Sequence, residues 1–414
     1  MGTGTFVNQS AYPAPAAQAA RAKRGDTPLL LAATALVVLG LLMLFSASWD
    51  FSLAVFDSPT YMFNRQVLWL ALGSVVAVLL ARFDYHKWRK WVVPAMLVTI
   101  CALIGVLLTN ELSQGPKRSF LEGSVQPSEL AKLVTVIYLA VWLYSKRQHL
   151  HNIQLGLIPL GIILGIVGGL IYLQPDLSAA ATVLILGGLL FFLAGGDLRQ
   201  IVFLLIAAII AGWIVVQLSS TGQTRIEAYR AGIKDPTQAS YHVRRSLEAV
   251  VKGGFFGVGI GRADTKMTGL PVPPTDSIFA VIAEELGLFG VIGLMGLYGT
   301  LLWRGLVIAR RAPDMLGTLL AAGLVFWIGS EAVINMAVMV GLLPFAGNTL
   351  PFISAGGSNL TASLAAIGVL MNVSRQQGEN AVSNDEWRPY RATLDLRRRD
   401  RRQREPRARR PRSP

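Results

Sequence analysis

Apolar runs of close to twenty residues recur along this chain of 414 residues, and no other feature constrains its fold as strongly. A helix of about 20 apolar residues crosses the ~30 Å hydrocarbon core of a bilayer, where every backbone N–H and C=O must be satisfied inside the segment. Ten stretches qualify as spans: 28–46, 66–82, 91–108, 129–145, 155–173, 177–195, 200–218, 278–302, 315–341 and 358–373. The expected fold is all-α, a polytopic membrane protein of ten transmembrane helices with one large extracytoplasmic loop, 219–277, between spans 7 and 8. Only 15% of the residues are charged, where a soluble chain carries roughly a quarter. That excludes an ordinary cytosolic enzyme, a nucleic-acid-binding globule and a disordered chain. The first run has no convincing cleavage site after it and reads as a retained span.

Short loops rich in Lys and Arg stay on the cytoplasmic side. Arg21, Lys23 and Arg24 precede span 1; Arg82, Lys87, Arg89 and Lys90 follow span 2; Lys146 and Arg147 follow span 4; Arg304, Arg310 and Arg311 follow span 8. With ten spans all of these share one side, and so does the tail, which places both termini in the cytoplasm. The outside loops are then 47–65, 109–128, 174–176, 219–277 and 342–357. The domain reading is a disordered N-terminal segment, 1–27, a ten-helix membrane domain, 28–375, and a basic cytoplasmic tail, 376–414. Twelve arginines between Arg388 and Pro414, against three acids, supply most of the net charge of +14. The basic balance thus resides in a tail that meets anionic headgroups or anchors topology, and not in a nucleic-acid-reading face. The single cysteine, Cys101, sits in an apolar run and excludes an intrachain disulfide.

Polar residues near or inside spans are costly and mark function. They collect at one end. Gln126-Pro127-Ser128-Glu129 opens span 4 with Lys132 one turn in; Gln174-Pro175-Asp176 opens span 6; Pro273-Pro274-Thr275-Asp276 opens span 8, with Glu284 and Glu285 deeper; Pro351 to Ser358 opens span 10, including Ser354, Gly356 and Gly357. All four helices start on the outside. Helix N-termini carry unpaired N–H groups that favour anions such as phosphates. Lys117 and Arg118 before span 4, and Arg244, Arg245 and Lys252 in the long loop, add a cationic basin at the outer leaflet. The competing reading is ordinary capping with scattered surface charge. Glu129 and Lys132 share a helical face; with Asp176 they read either as an ion network that fixes packing or as a direct participant in chemistry. Glu284 and Glu285 face different sides of span 8 and read as packing groups. Gly253 to Gly261 resembles a dinucleotide fingerprint only superficially, since no strand precedes it; with Phe255 and Phe256 it fits a re-entrant or interfacial hairpin, after a short amphipathic helix at 246–252.

Three of these blocks, extended to Gln126–Lys132, Gln174–Leu177 and Thr275–Gly287, together with Gly341-Leu342-Leu343-Pro344 and Leu350–Ser358, resemble the signature blocks of the SEDS family, the shape, elongation, division and sporulation proteins of the FtsW/RodA/SpoVE type. The resemblance covers about residues 28–375. It implies a peptidoglycan glycosyltransferase that polymerises lipid II, an undecaprenyl-diphosphate-linked disaccharide pentapeptide, at the outer face of the bacterial cytoplasmic membrane. It implies as partners lipid II and the lipid-linked glycan, a class B penicillin-binding protein acting as transpeptidase, and other divisome or elongasome membrane proteins, but no nucleic acid. It implies a divalent cation, Mg or Mn, and no organic cofactor. The family's essential acid falls on Asp276, its ion cluster on Glu129, Lys132 and Asp176, and its basic residue before span 4 on Arg118, with Lys117 the alternative.

The chemistry is consistent with one essential acid. A sugar hydroxyl attacking an anomeric carbon needs a base, which contributes roughly 10²–10⁴-fold. The departing diphosphate needs charge stabilisation and no proton, unlike a glycosidase leaving group, which calls for a second carboxylate. Asp276 as an N-cap is the competing reading. The rival functions are a lipid II flippase and a noncatalytic scaffold for a transpeptidase; a flippase is expected to place polar groups at both ends of the bundle, whereas here they crowd the outer one.

Overall fold

Asp26 accepts the Leu29 amide at 3.0 Å and Pro28 sits in the first turn, so the chain enters its first helix already capped. The computed structural model describes residues 25–112 and 126–376. All regular structure among them is helical. The order is α1 (Thr27–Phe56), α2 (Tyr61–Arg82), α3 (Trp88–Leu112), α4 (Pro127–Lys146), α5 (Ile158–Leu173), α6 (Leu177–Leu193) and α7 (Leu198–Leu218). The long loop then folds into α8 (Ser220–Lys234) and α9 (Tyr241–Gly253), before α10 (Ile278–Arg311), α11 (Met315–Met339) and α12 (357–376). Asp26–Val373 form one compact unit, and the other unit, Met1–Gly25 with Ser374–Pro414, lies almost wholly outside the described residues.

A helix stands at each of the ten expected stretches. Seven, α1 to α5, α10 and α11, are long and apolar enough to cross a membrane, the third and fifth together with the short helical turns before them. α6 is apolar but shorter, and so is the fully described stretch Leu198–Ile214 of α7. The chain is a multi-pass membrane protein. α4 and α11 are the inner helices, and their apolar windows are each 72% buried. Outward faces carry Leu31, Val38, Val98, Phe203, Ile209 and Trp303 exposed, as expected where hydrocarbon is the solvent. α7 buries little and packs mainly on α6 and α8.

Two boundaries differ from the sequence reading. The expected outside loop 47–65 is mostly helix, because α1 continues to Phe56 and stops only where Asp57 turns left-handed at φ 53°. The apolar run ends near Ser46, but Ser46, Ser48 and Ser52 are buried against the rest of the protein. Packing, not hydropathy, carries the helix on past the apolar run. α10 is also longer than expected and is broken at Gly287 (φ 66°, ψ −167°).

The break is covered by the glycine-rich segment. Val258 and Gly259 donate their amides to the carbonyls of Glu284 and Glu285 at 3.0 and 3.1 Å, and Leu288 and Phe289 donate to Gly254 and Phe255 at 2.9 and 3.2 Å. A helix interrupted at membrane depth is tolerated where neighbouring backbone re-satisfies the freed groups. The segment therefore serves α10, while Phe255 and Phe256 stay exposed. The amphipathic helix before it is longer than the expected 246–252, running from Tyr241 to Gly253. A Cβ on Gly287 would lie 2.3 Å from the Gly257 nitrogen, and its dihedrals are nearly exclusive to glycine. Gly287→Ala is expected to cost more than the roughly 1–3 kcal/mol of backbone strain alone, read as a lower thermal unfolding temperature in detergent; unchanged unfolding would show that the break is not held as described.

Candidate active site at one end of the bundle

Two polar ties between α1 and α10 set the vertical scale. At one end Arg304 pairs with Asp26, Nε to Oδ1 at 3.1 Å. At the other, Ser46 donates to Glu285 at 2.6 Å and Lys266 pairs with the same carboxylate at 2.8 Å. At 1.5 Å per residue these ties are about 30 Å apart, close to a hydrocarbon thickness. The turn before α10, which carries Asp276, lies beyond the second tie.

Asp276 is half-buried in that turn. It is not the helix cap: that position is Ser277, whose hydroxyl is spent on the Pro271 carbonyl at 2.7 Å. Three consecutive carbonyls hold the turn in place. Pro274 accepts the Ala355 amide at 2.8 Å, Thr275 the Ser354 hydroxyl at 2.7 Å, and Asp276 the Asn335 side-chain amide at 3.0 Å. The carboxylate packs against Gly347, where an added Cβ would sit 2.9 Å from Oδ2. Glycine at that position makes room for the acid.

Beneath the turn, Lys132 on α4 pairs with Glu129 at 2.9 Å and with Glu331 on α11. All three are buried, Lys132 to 1% exposure and Glu331 to none. Trp327 donates to Glu331 at 2.8 Å, and Asn359 on α12 donates to Glu129 at 3.0 Å and to Glu331 at 3.4 Å. The expected third member, Asp176, lies near enough for its charge to act on Lys132 but makes no direct ion pair with it. It caps α6 through the Ala179 amide at 3.1 Å and takes donors from Gln126 at 3.0 Å and Ser128 at 3.2 Å. The reason is positional: an acid one residue before a helix is claimed by that helix's free amides, whereas Glu331, in mid-helix, has only side chains to pair with. A single glutamate inside an otherwise apolar span is the signal the sequence carries for it. Asn335, Asn348 and Gly347 gave no such signal.

The other sequence candidates are engaged internally. Ser354 is 2% exposed and also accepts the Leu350 amide at 2.8 Å. Gly356 donates to Gln66 at 3.2 Å, Ser358 accepts the Gln126 amide at 3.1 Å, and Gly357 backs onto Trp69. In the long loop Arg245 bonds Glu248 and the Thr268 hydroxyl, Lys252 pairs with Asp264 at 2.9 Å, and Arg244 lies over the Tyr241 ring. Glu284 accepts the Asp264 amide at 3.0 Å, so both glutamates of α10 face inward and tie it to neighbouring segments. Lys117 and Arg118 lie outside the described residues. A pocket of about 220 Å³ opens between α8, α9 and Val340–Phe345, with Arg225, Tyr229 and Ser240 on its walls. Beside it His242 stacks on Phe345 at 4.2 Å, and burial together with the Arg225 charge holds its imidazole pKa below the ordinary value.

Among the described residues no three His, Cys, Asp or Glu side chains come together as a metal-ligating group. The described residues thus offer no all-protein cage for the divalent cation implied by the sequence resemblance; such an ion is otherwise held by one or two carboxylates together with substrate phosphates.

The chain matches the family model FTSW_RODA_SPOVE, described as "Cell cycle protein", over residues 27–379. It is 36% identical over 356 residues to a protein of Trichlorobacter lovleyi named "Probable peptidoglycan glycosyltransferase FtsW", covering 84% of this chain and 93% of that one. It is 35% identical to stage V sporulation protein E of Bacillus subtilis, covering 84% and 97%. Among solved structures it resembles a chain described under structural coordination of polymerization and crosslinking by a peptidoglycan synthase complex, with a TM-score of 0.68, 26% identity and coverage of 85% and 98%. It also resembles the rod shape determining protein RodA of Thermus thermophilus, with a TM-score of 0.61, 27% identity and coverage of 85% and 97%.

Proposed function

The chain belongs to the FtsW/RodA/SpoVE family of cell cycle proteins, and from that premise we propose that Asp276 is the base of its glycosyl transfer. The protein is a peptidoglycan glycosyltransferase, the activity named for relatives about 35% identical over most of their length. That likeness, with one acid presented on a turn held by three carbonyl bonds at the outer end of the bundle, supports the reading.

In the proposed reaction the 4-hydroxyl of one lipid II sugar attacks the anomeric carbon of the lipid-linked chain. Asp276 accepts the hydroxyl proton as the new C–O bond forms, and undecaprenyl diphosphate leaves with the bonding electrons. Single displacement inverts the anomeric centre and gives a β-1,4 link. The diphosphate is met by basic groups, with Lys117 and Arg118 before α4 as the leading candidates. Arg244, Arg245 and Lys252 are proposed in support, and each must exchange an internal partner for the phosphate. Gln126, Ser128, Ser354, Gly356, Gly357 and Ser358 shape the site through its internal bonds. No step is routed through a metal.

The proposed topology is ten spans in the bacterial cytoplasmic membrane, with both termini cytoplasmic and 219–277 outside. The two ties between α1 and α10, about 30 Å apart, fit a hydrocarbon thickness, and the Lys and Arg balance of the short loops supports the orientation. The proposed partner is a class B penicillin-binding protein, supported by likeness to a chain from a peptidoglycan synthase complex. The function is tested with proteoliposomes carrying labelled lipid II, the intact chain and its cognate transpeptidase. Glycan polymer is the expected product; lipid II translocation with no polymer would identify a flippase instead.

A further inference from the structure

We infer that Asn335 is the positioning residue of the site, and that the buried ion network acts on the reaction through it. This rests on the assignment of Asp276 as the base. Asn335 is 1% exposed on α11, one turn beyond Glu331 on the same face. Its side-chain amide donates to two carbonyls, that of Asp276 at 3.0 Å and that of Asn348. Asn348 is itself buried and donates to the Glu331 carbonyl at 3.2 Å. The ties thus run residue to residue: Lys132 to the Glu331 carboxylate, Asn348 to the Glu331 main-chain carbonyl, and Asn335 to the main-chain carbonyls of Asn348 and of the catalytic acid. One amide bridges the turn that carries Asp276 and the loop that carries Gly347, the residue against which the carboxylate packs.

The ion network cannot work by contact with substrate in this arrangement, because Lys132, Glu129 and Glu331 have almost no exposed surface. It can decide where the acid stands. Bringing a base within hydrogen-bond reach of the attacking hydroxyl is a condition of general base catalysis. Misplacement by about 1 Å costs on the order of 10²-fold. Positioning of this kind enters kcat, whereas lipid and sugar contacts elsewhere enter KM.

The test uses the full chain with its cognate transpeptidase and lipid II as substrate. Asn335→Leu, which keeps the branching and removes both N–H donors, is expected to lower kcat at least tenfold with KM within threefold of wild type. Asn335→Ser, which returns one donor, is expected to recover part of that kcat. The inference is overturned by a wild-type kcat in Asn335→Leu, or by a change confined to KM. It is equally overturned if the serine and leucine variants lose rate only in proportion to their loss of folded protein. An active Asp276→Asn variant in the same assay would instead remove the assignment of the base.

Discussion

Replacing Asp276 by Asn or Ala is expected to lower lipid II polymerisation by roughly 10²–10⁴-fold, the contribution of a positioned general base. Folding and transpeptidase binding are expected to survive. The structure gives the reason for that separation. The turn is held by main-chain carbonyls of Pro274, Thr275 and Asp276, none of which changes when the side chain does. The N-cap position is Ser277, not Asp276, so the substitution removes no cap. Asn fills the same space against Gly347 but cannot accept the proton. The measurement is polymer length and rate from purified complexes, with thermal unfolding and transpeptidase co-purification as controls. Near-normal glycan synthesis by the Asn variant would sink the assignment. Lost synthesis accompanied by lost folding would move Asp276 to a structural role.

The second large effect concerns stability. Lys132→Met is expected to destabilise the bundle by about 3–5 kcal/mol, the cost of leaving a buried charge without its partner. Here one ammonium serves two carboxylates, Glu129 and Glu331. Removing it leaves two anions facing each other in a dry interior. Glu331→Gln is expected to be milder, because Glu129 and Lys132 remain a balanced pair, the amide oxygen still accepts from Trp327 and Lys132, and Asn359 keeps Glu129 as its acceptor. The order of the two variants is the decisive readout, measured by thermal unfolding and by folded yield in detergent. If Lys132→Met unfolds no earlier than Glu331→Gln, the cluster is not the packing element described.

The polar motifs at one end of the bundle were legible because they break a simple rule. A membrane span has little reason to hold Pro, Asp, Glu or Gln unless a site or a cap requires them, so Gln126–Lys132, Gln174–Asp176, Thr275–Glu285 and Pro351–Ser358 stood out by composition. What each residue does was less legible. Asp176 and Glu331 are both acids near apolar helices, and only the packing shows that the first is spent on a helix end and the second on Lys132. Asn335 sits in an ordinary span with a neutral side chain, and its two acceptors lie 59 and 13 positions away in sequence. Gly287 belonged to a recognised block, yet nothing local marked it as a break, because the amides and carbonyls that stabilise the break come from the distant 254–259 segment.

The sequence by itself determined that this chain is a helical membrane protein, that polar residues gather at one end of its bundle, and which family blocks it carries. Those properties follow from transfer free energy and local spacing, which act residue by residue along the chain. Only the tertiary structure decided that α1 extends past its apolar run, that Glu331 completes the ion network, and that a turn tied to α11 and the 347–355 loop presents Asp276. Each of these depends on which buried polar group finds which partner. In a low-dielectric interior that pairing is settled by three-dimensional proximity, with a large penalty for any group left out.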